Sequence, residues 1–357
     1  MATTTPITLH NNAVFSMLQN MIISQQTFAN PIGGLSSEIV DGNRVDGTLY
    51  GDQKQYVSVD MIHPRDWTGD SEATNLLALE RNKRVSQEQI TLDTFKMFKL
   101  STGTVKEKQA WMNEGNFSNF NSVQLSMIRD GKRAYDVTTY NTFIGTHARD
   151  TKSITVPQGA NEALVLSEGI ADLVDEMAEL ETGFNGWGYI RAYGREDIDI
   201  IFNKAYLNKW KYVDLPVIYH KDGILHDHKS MNGKYFGAAP SDATAAGTAR
   251  TAGTLRFAKQ VNFTTKGSFY AGDLVPSGVT IGSTTSGDTV SYKDTYVVDD
   301  SIVGIIVGKG AAPYMSACEN STAFWNPQSL TNTNFLIYGH NTLKALQEKP
   351  YIVIKKA

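Results

Sequence analysis

His220, His226 and His228 lie close together with Asp222 and Asp227 between them. On a strand, the His-x-His pair would present both imidazoles on one face, where they can chelate zinc or copper. A metal-dependent enzyme built on this cluster is therefore one reading of the chain. No cysteine or dedicated general base joins the three histidines, and Gly223 reads as part of a surface turn. His10, His63, His147 and His340 stand singly and read as surface or satisfied core groups.

Gly304 and Gly308-Lys309-Gly310 approach a phosphate loop without completing one. Three residues separate the first glycine from the Gly-Lys pair, where the loop needs four, and Gly310 stands where Ser or Thr is required. No Gly-x-Gly-x-x-Gly, Gly-x-Ser-x-Gly or His-Glu-x-x-His occurs. The expectation is a protein with no catalytic, cofactor-binding or metal-ligating residues, not an enzyme.

Asn161–Glu181 reads as the clearest helix. Ala163, Leu166, Ile170, Leu173, Met177 and Leu180 recur at steps of three and four. Glu162, Glu168, Asp172, Asp175, Glu176, Glu179 and Glu181 fill the remainder with no Lys or Arg. Asn161 is the expected cap, and Gly183 the expected left-handed close. The carboxylates read as a solvated face, or one paired with basic residues elsewhere.

The elements around these residues form an α+β chain. Val57, Val59 and Met61 alternate with Ser58 and Asp60 as in a half-buried strand. Ile90, Leu92, Phe95 and Met97 mark a second strand whose register slips at Asp93–Thr94. Between them lie Trp67-Thr68-Gly69-Asp70 and the charged Glu80–Arg84, too polar to supply a core. A two-stranded ribbon is marginal in water, so this hairpin needs another surface, and a neighbouring copy of the chain is the expected one. Trp111–Thr146 reads as a long helix on the spacing of Phe120, Val123, Met127, Ala134, Val137, Tyr140 and Ile144, with a bend expected at Gly131. Asp197–Phe202 reads as a strand, Asn203–Lys211 as a short helix and Leu215–Tyr219 as an apolar strand. Ile302–Val307, Phe335–Tyr338 and Tyr351–Ile354 read as strands, and Tyr314–Phe324 as a short helix. Ala13–Ser24 has helical spacing and reads as a docked helix or an arm on a neighbour.

The bulk properties exclude little. The chain has 357 residues, 41% hydrophobic and 20% charged, with a net charge of −4. Its pI of about 6.0 gives no reason to expect tight binding to DNA or anionic membranes. Cys318 is the single cysteine, which excludes an internal disulfide and fits a reducing compartment. Met1–Ile7 has neither a basic nor an apolar signal region, so a cytoplasmic protein with no membrane span is expected.

The order of these parts resembles the major capsid proteins of tailed bacteriophages, which have the Hong Kong 97-type fold. Lys132-Arg-Ala-Tyr-Asp-Val-Thr-Thr-Tyr-Asn-Thr-Phe-Ile-Gly145 resembles the end of that family's spine helix. Phe324-Trp-Asn-Pro-Gln-Ser-Leu-Thr331, followed by Phe335 and Tyr338, resembles its return strands. The resemblance implies an amino-terminal arm at 1–40, an extended β-hairpin loop at 41–100 and a peripheral domain with its spine helix at 101–159. It further implies an axial domain at 160–310, with a Gly/Ala/Ser/Thr-rich insertion near 237–289, and a return to the peripheral domain at 311–357. It implies no cofactor and a homo-oligomer of hexamers and pentamers closing an icosahedral shell around double-stranded DNA. A separate scaffolding protein and a portal are the further partners it brings, with assembly in the host cytoplasm and residence in the virion. Some relatives crosslink subunits through a lysine and an asparagine. Lys54 sits in the corresponding loop and is not assigned that chemistry. An encapsulin-like compartment, which shares the fold and encloses an enzyme, is the nearest alternative.

Overall fold

The computed structural model describes residues 32–47, 51–62, 64, 85–103, 114–210, 228–251 and 253–357, with the backbone alone for 114–122, 124–125, 251, 318–321 and 323. Helix α1 (Glu38–Gly42) and strand β1 (Arg44–Asp46) lead into β2 (Gln53–Val59) and the long β3 (Val85–Gly103). Helix α2 (Glu114–Thr146), β4 (Asp150–Ile154) and α3 (Glu162–Ala178) follow. Then come β5 (Ile198–Asn203), α4 (Lys204–Lys209), β6 (Lys229–Met231), β7 (Gly237–Ala238) and α5 (Ala243–Thr251). Short strands β8 (Leu255–Phe257), β9 (Val261–Phe263), β10 (Gly267–Phe269), β11 (Thr280–Gly282), β12 (Thr289–Ser291) and β13 (Thr295–Val298) come next. Strands β14 (Ile302–Gly308), β15 (Tyr314–Asn326), β16 (Thr331–Asn341) and β17 (Tyr351–Lys356) complete the order.

A mixed five-stranded sheet in the order β4-β17-β14-β5-β6 forms the centre. Its inner strands β5, β14 and β17 are largely apolar on both faces because both faces are covered. Ile200 and Phe202 of β5 and Ile352 and Ile354 of β17 face Leu166, Ile170 and Met177 of α3. Ile201, Ile305, Tyr351 and Val353 point the other way, onto Val137, Tyr140 and Ile144 of α2. Each such side chain, fully buried, stabilises the fold by roughly 1.5–3 kcal/mol. The segments read as 101–159, 160–310 and 311–357 all contribute, since β4, β5 and β17 share this sheet.

The second sheet has the order β1-β15-β16-β3-β2. Its organising strand is β3, whose first residues pair with β2 and whose remainder pairs with β16. Opposite Asp93 the register shifts, with Thr94 paired to His340 and Leu92 to Asn341. The slip legible at Asp93–Thr94 is thus a β-bulge. Asp93 Oδ1 accepts from the backbone N–H of Thr342 at 2.7 Å, which holds the irregular point in place. Phe257, Val261, Phe263, Val279 and Val290, on and beside the short strands β8 to β12, form a separate small core.

Four expectations need correction. Tyr314–Phe324 is strand, not helix, because β15 pairs along its length with β16 and, at its start, with β1; local composition does not encode those partners. Helix α3 stops at Ala178, with Glu179 extended at the cap, so Gly183 does not close it and Leu180 is exposed. Helix α2 is one long helix, as read, and continues through Gly131, but Met127 on its apolar spacing is exposed. The carboxyl-terminal half of α2 is buried on nearly every side. There Thr138, Thr142 and Thr146 each donate to the carbonyl four residues back at 2.7 Å, which satisfies hydroxyls that burial would otherwise strand. Gly145 sits where α2 crosses the chain at Tyr235; a Cβ there would lie 2.0 Å from the Tyr235 carbonyl oxygen.

Candidate assembly interface

The β2–β3 hairpin has its apolar side turned outward. Val57, Val59, Met61, Ile62 and Val85 are 61%, 45%, 50%, 83% and 57% exposed. The expected alternation is present, but it is the other side that touches the rest of the subunit. Tyr56 packs beside Ile90, Leu92, Met315 and Leu346. Ser86 Oγ and the Tyr189 hydroxyl share a hydrogen bond of 2.6 Å. Arg191 Nη2 donates to the Val59 carbonyl at 2.6 Å, while its Nε donates to Glu348 at 2.6 Å. Asp60 Oδ1 accepts from the Ile190 N–H at 3.3 Å. The hairpin therefore rests on its own subunit through this small apolar cluster and through polar contacts. Several adjoining apolar side chains are left in water, the pattern that marks an interaction surface.

A second apolar cluster lies at the other end of the same sheet. Phe324, Trp325 and Leu330, around the β15–β16 turn, are 61%, 45% and 59% exposed. Leu330 has a φ of 50°, a left-handed conformation unusual for leucine. Strand β3 joins the two clusters: Val85 pairs with Val59 at one end, and Gly103 with Thr331 at the other. At the rise of an extended strand, those ends are about 60 Å apart. Two apolar ends so far apart cannot cover each other within one subunit.

Between them the sheet is fixed to α2 by a buried polar group. The Tyr314 hydroxyl donates to Asp136 Oδ1 at 2.6 Å, and Arg44 approaches Oδ2 at 3.7 Å. His340 Nε2 pairs with the Tyr135 hydroxyl at 2.9 Å, and Nδ1 with the Asn341 carbonyl at 2.8 Å. Burial raises the Asp136 carboxyl, against the lowering pull of Tyr314, Lys132 and Arg44. Burial likewise lowers His340 and raises Tyr314 and Tyr338. Every shift is led by desolvation in an interior position, so the group reads as a structural joint.

Among the described residues, those considered for chemistry do not assemble into a site. His220, His226, Asp222 and Asp227 lie outside the described residues, as do Ala13–Ser24, Leu215–Tyr219 and Trp67–Arg84. His228 packs edge-on against the Phe202 ring, with centroids 5.5 Å apart. Among the described residues no group of His, Cys, Asp and Glu could hold a metal ion. Gly308-Lys309-Gly310 is the turn after β14: Lys309 N–H donates to the Asp197 carbonyl and Gly310 N–H to Asn43 Oδ1. His147 stacks on Phe143 and meets the Tyr351 ring edge-on. Lys54 is paired in β2, opposite Ile90. The side chain of Cys318 lies outside the described residues. Sequence periodicity did not disclose the Tyr189–Arg191 clamp, whose only signal was a Tyr and an Arg in a glycine-rich stretch.

A family model of the Phi29-like phage major capsid proteins matches residues 3–355. The chain belongs to that family. No curated protein matches it. Among solved structures, the capsid of Staphylococcus phage Andhra aligns with a TM-score of 0.58 at 12% identity, covering 88% of this chain and 83% of that one. A chain in the structure of the head fiber and inner core protein gp22 of native bacteriophage P68 aligns with a TM-score of 0.58 at 10% identity and the same two coverages, 88% and 83%. At these identities the likeness concerns the fold, and it is the Hong Kong 97-type capsid fold. This major capsid protein is a structural subunit of a phage head shell, not an enzyme. The family favours neither the encapsulin-like compartment nor the metal-dependent enzyme.

Proposed function

We propose that copies of this capsid protein form hexamers and pentamers that close an icosahedral shell around double-stranded DNA. Assembly takes place in the host cytoplasm, with a separate scaffolding protein and a portal. In this reading, residues 1–40 are the arm, 41–100 the extended loop and 101–159 the peripheral segment with the spine helix α2. The axial segment is 160–310, with its insertion at 237–289, and 311–357 is the return. The observation that carries the proposal is the outward apolar side of the β2–β3 hairpin, with Val57, Val59, Met61 and Ile62 exposed. A neighbouring copy would cover it. Several modest contacts per copy hold a shell together collectively, because each subunit is tethered by the others.

Deletion of Trp67–Arg84 tests the loop assignment. A folded, soluble subunit that no longer closes shells is the expected result. Normal particles from the deletion would remove the loop from the assembly contact.

A further inference from the structure

The exposed side of α3 is a continuous stripe of carboxylates. Glu168, Asp172, Asp175, Glu176 and Glu179 are all exposed. At 100° per residue they fall on one side of the helix, opposite the buried Leu166, Ile170, Leu173 and Met177. Several of them stand three or four residues apart, where like charges repel. The last three also crowd the negative end of the helix dipole. Of the seven acidic residues read on this helix, Glu162 has its cations, Lys209 at 2.6 Å and Lys356 at 3.1 Å. Among the described residues no ion pair reaches the stripe itself. Among the described residues, the stripe is thus an uncompensated concentration of negative charge.

The opposite kind of surface lies elsewhere on the same unit. A cleft of about 530 Å³ opens between α4, the Asn232–Lys234 turn and the start of β8, lined by Lys204, Lys234 and Arg256. Asp300 also lines it, leaving cations in excess. Arg256 Nη1 donates to the Gly272 carbonyl at 2.7 Å, while its Nε is buried with no hydrogen-bond partner among the described residues. Lys234 lies over the Tyr235 ring at 4.8 Å, half-buried, and Asp273 acts on its charge. With Lys204, Lys234 and Arg256 set against the one carboxylate of Asp300, the lining has the charge to suit an anionic surface.

Helix α3 starts beside α4, where Glu162 meets Lys209 at 2.6 Å, and farther along it Gly169 packs against Ile154 of the edge strand β4. Helix α4 lies along β5 and β6. Complementary patches on different parts of one surface make a head-to-tail contact, which closes into a ring where the rotation between copies allows.

We propose that the acidic face of α3 on one subunit seats in the Lys204–Lys234–Arg256 cleft of the next copy around a ring. This deepens the shell reading and rests on it. The favoured occupant is a second copy, because the complementary charge is present on the same chain. The phosphates of nucleic acid are the competing occupant.

Reciprocal charge reversal in the full chain tests the contact. Asp172→Lys with Glu176→Lys forms one variant, Lys204→Glu with Lys234→Glu the second, and their combination the third. Association is read by sedimentation velocity at increasing salt, shells by electron microscopy and folding by circular dichroism. Each pair alone is expected to weaken association about tenfold, and the combination to return it within about threefold of the parent. Parent association should also weaken as salt rises. If a reversal unfolds the chain, the neutral versions Asp172→Asn with Glu176→Gln and Lys204→Gln with Lys234→Gln must weaken association in the same direction. Pairs that associate like the parent, or a combination that restores nothing, would overturn the contact. So would Lys204→Glu with Lys234→Glu giving normal shells depleted in nucleic acid, which assigns the cleft to phosphates. A parent chain that never associates, even with the scaffolding protein supplied, contradicts the shell reading as well. A parent that assembles while the variants are indifferent contradicts this contact alone.

Discussion

Tyr314 and Asp136 are 178 residues apart in sequence and joined by a 2.6 Å hydrogen bond in the interior. One stands on β15 and the other on α2, so the bond fixes the long helix to the sheet that carries both apolar ends. Replacing Tyr314 with Phe leaves a buried carboxyl without its donor. The expected loss is about 1–3 kcal/mol of stability, measurable by urea unfolding of the parent and variant subunits.

Asp136 gives the same joint a pH dependence. Burial is its leading influence and raises its folded value above 3.8. The folded state therefore holds this proton more tightly than the unfolded chain does. Its contribution to stability is fully present below 3.8 and is lost as pH rises through the raised folded value. Asp136→Asn removes that loss. The melting temperature of the variant relative to the parent should climb as pH is taken from 3.8 toward neutrality; a constant difference would contradict the assignment.

Gly145 is fixed by space. Because a Cβ would fall 2.0 Å from a backbone oxygen that cannot rotate away, Gly145→Ala must push α2 off the Tyr235 turn. A destabilisation of about 3 kcal/mol or a chain recovered only as aggregate is expected. Thermal unfolding of the soluble fraction measures it.

The hairpin separates stability from assembly. Val57→Ser with Val59→Ser alters side chains that are 61% and 45% exposed. Subunit stability should stay within about 0.5 kcal/mol of the parent, while the yield of shells falls. Arg191→Ala should do the reverse at the level of the subunit, lowering stability through the lost bonds to Val59 and Glu348. Parallel denaturation and particle counts distinguish the two.

Periodicity made much of this fold legible. Leu166, Ile170, Leu173 and Met177 marked the buried side of α3, and Asn161 its cap, because those signals are local. The cap is present, with Asn161 Oδ1 accepting from Ala163 N–H at 3.0 Å. The unbroken apolar run of β14 likewise announced a strand covered on both faces. The hairpin was legible as alternation but not in its sense, since a period of two fixes which residues share a side and not which side faces inward. The choice was made by Tyr189 and Arg191, more than a hundred residues away. Tyr314–Phe324 misled for the same reason: strand partners supplied by Thr333 and His340 of β16 leave no trace in the segment itself. The acidic stripe of α3 was visible, whereas the Lys204–Lys234–Arg256 cleft exists only after folding.

Negative-stain electron microscopy of the purified full-length chain, with size-exclusion chromatography alongside, addresses the central claim most directly. Closed shells, or sheets and tubes of ring-shaped capsomers, are the predicted result. A monodisperse monomer at every concentration, with the scaffolding protein also supplied, would contradict it.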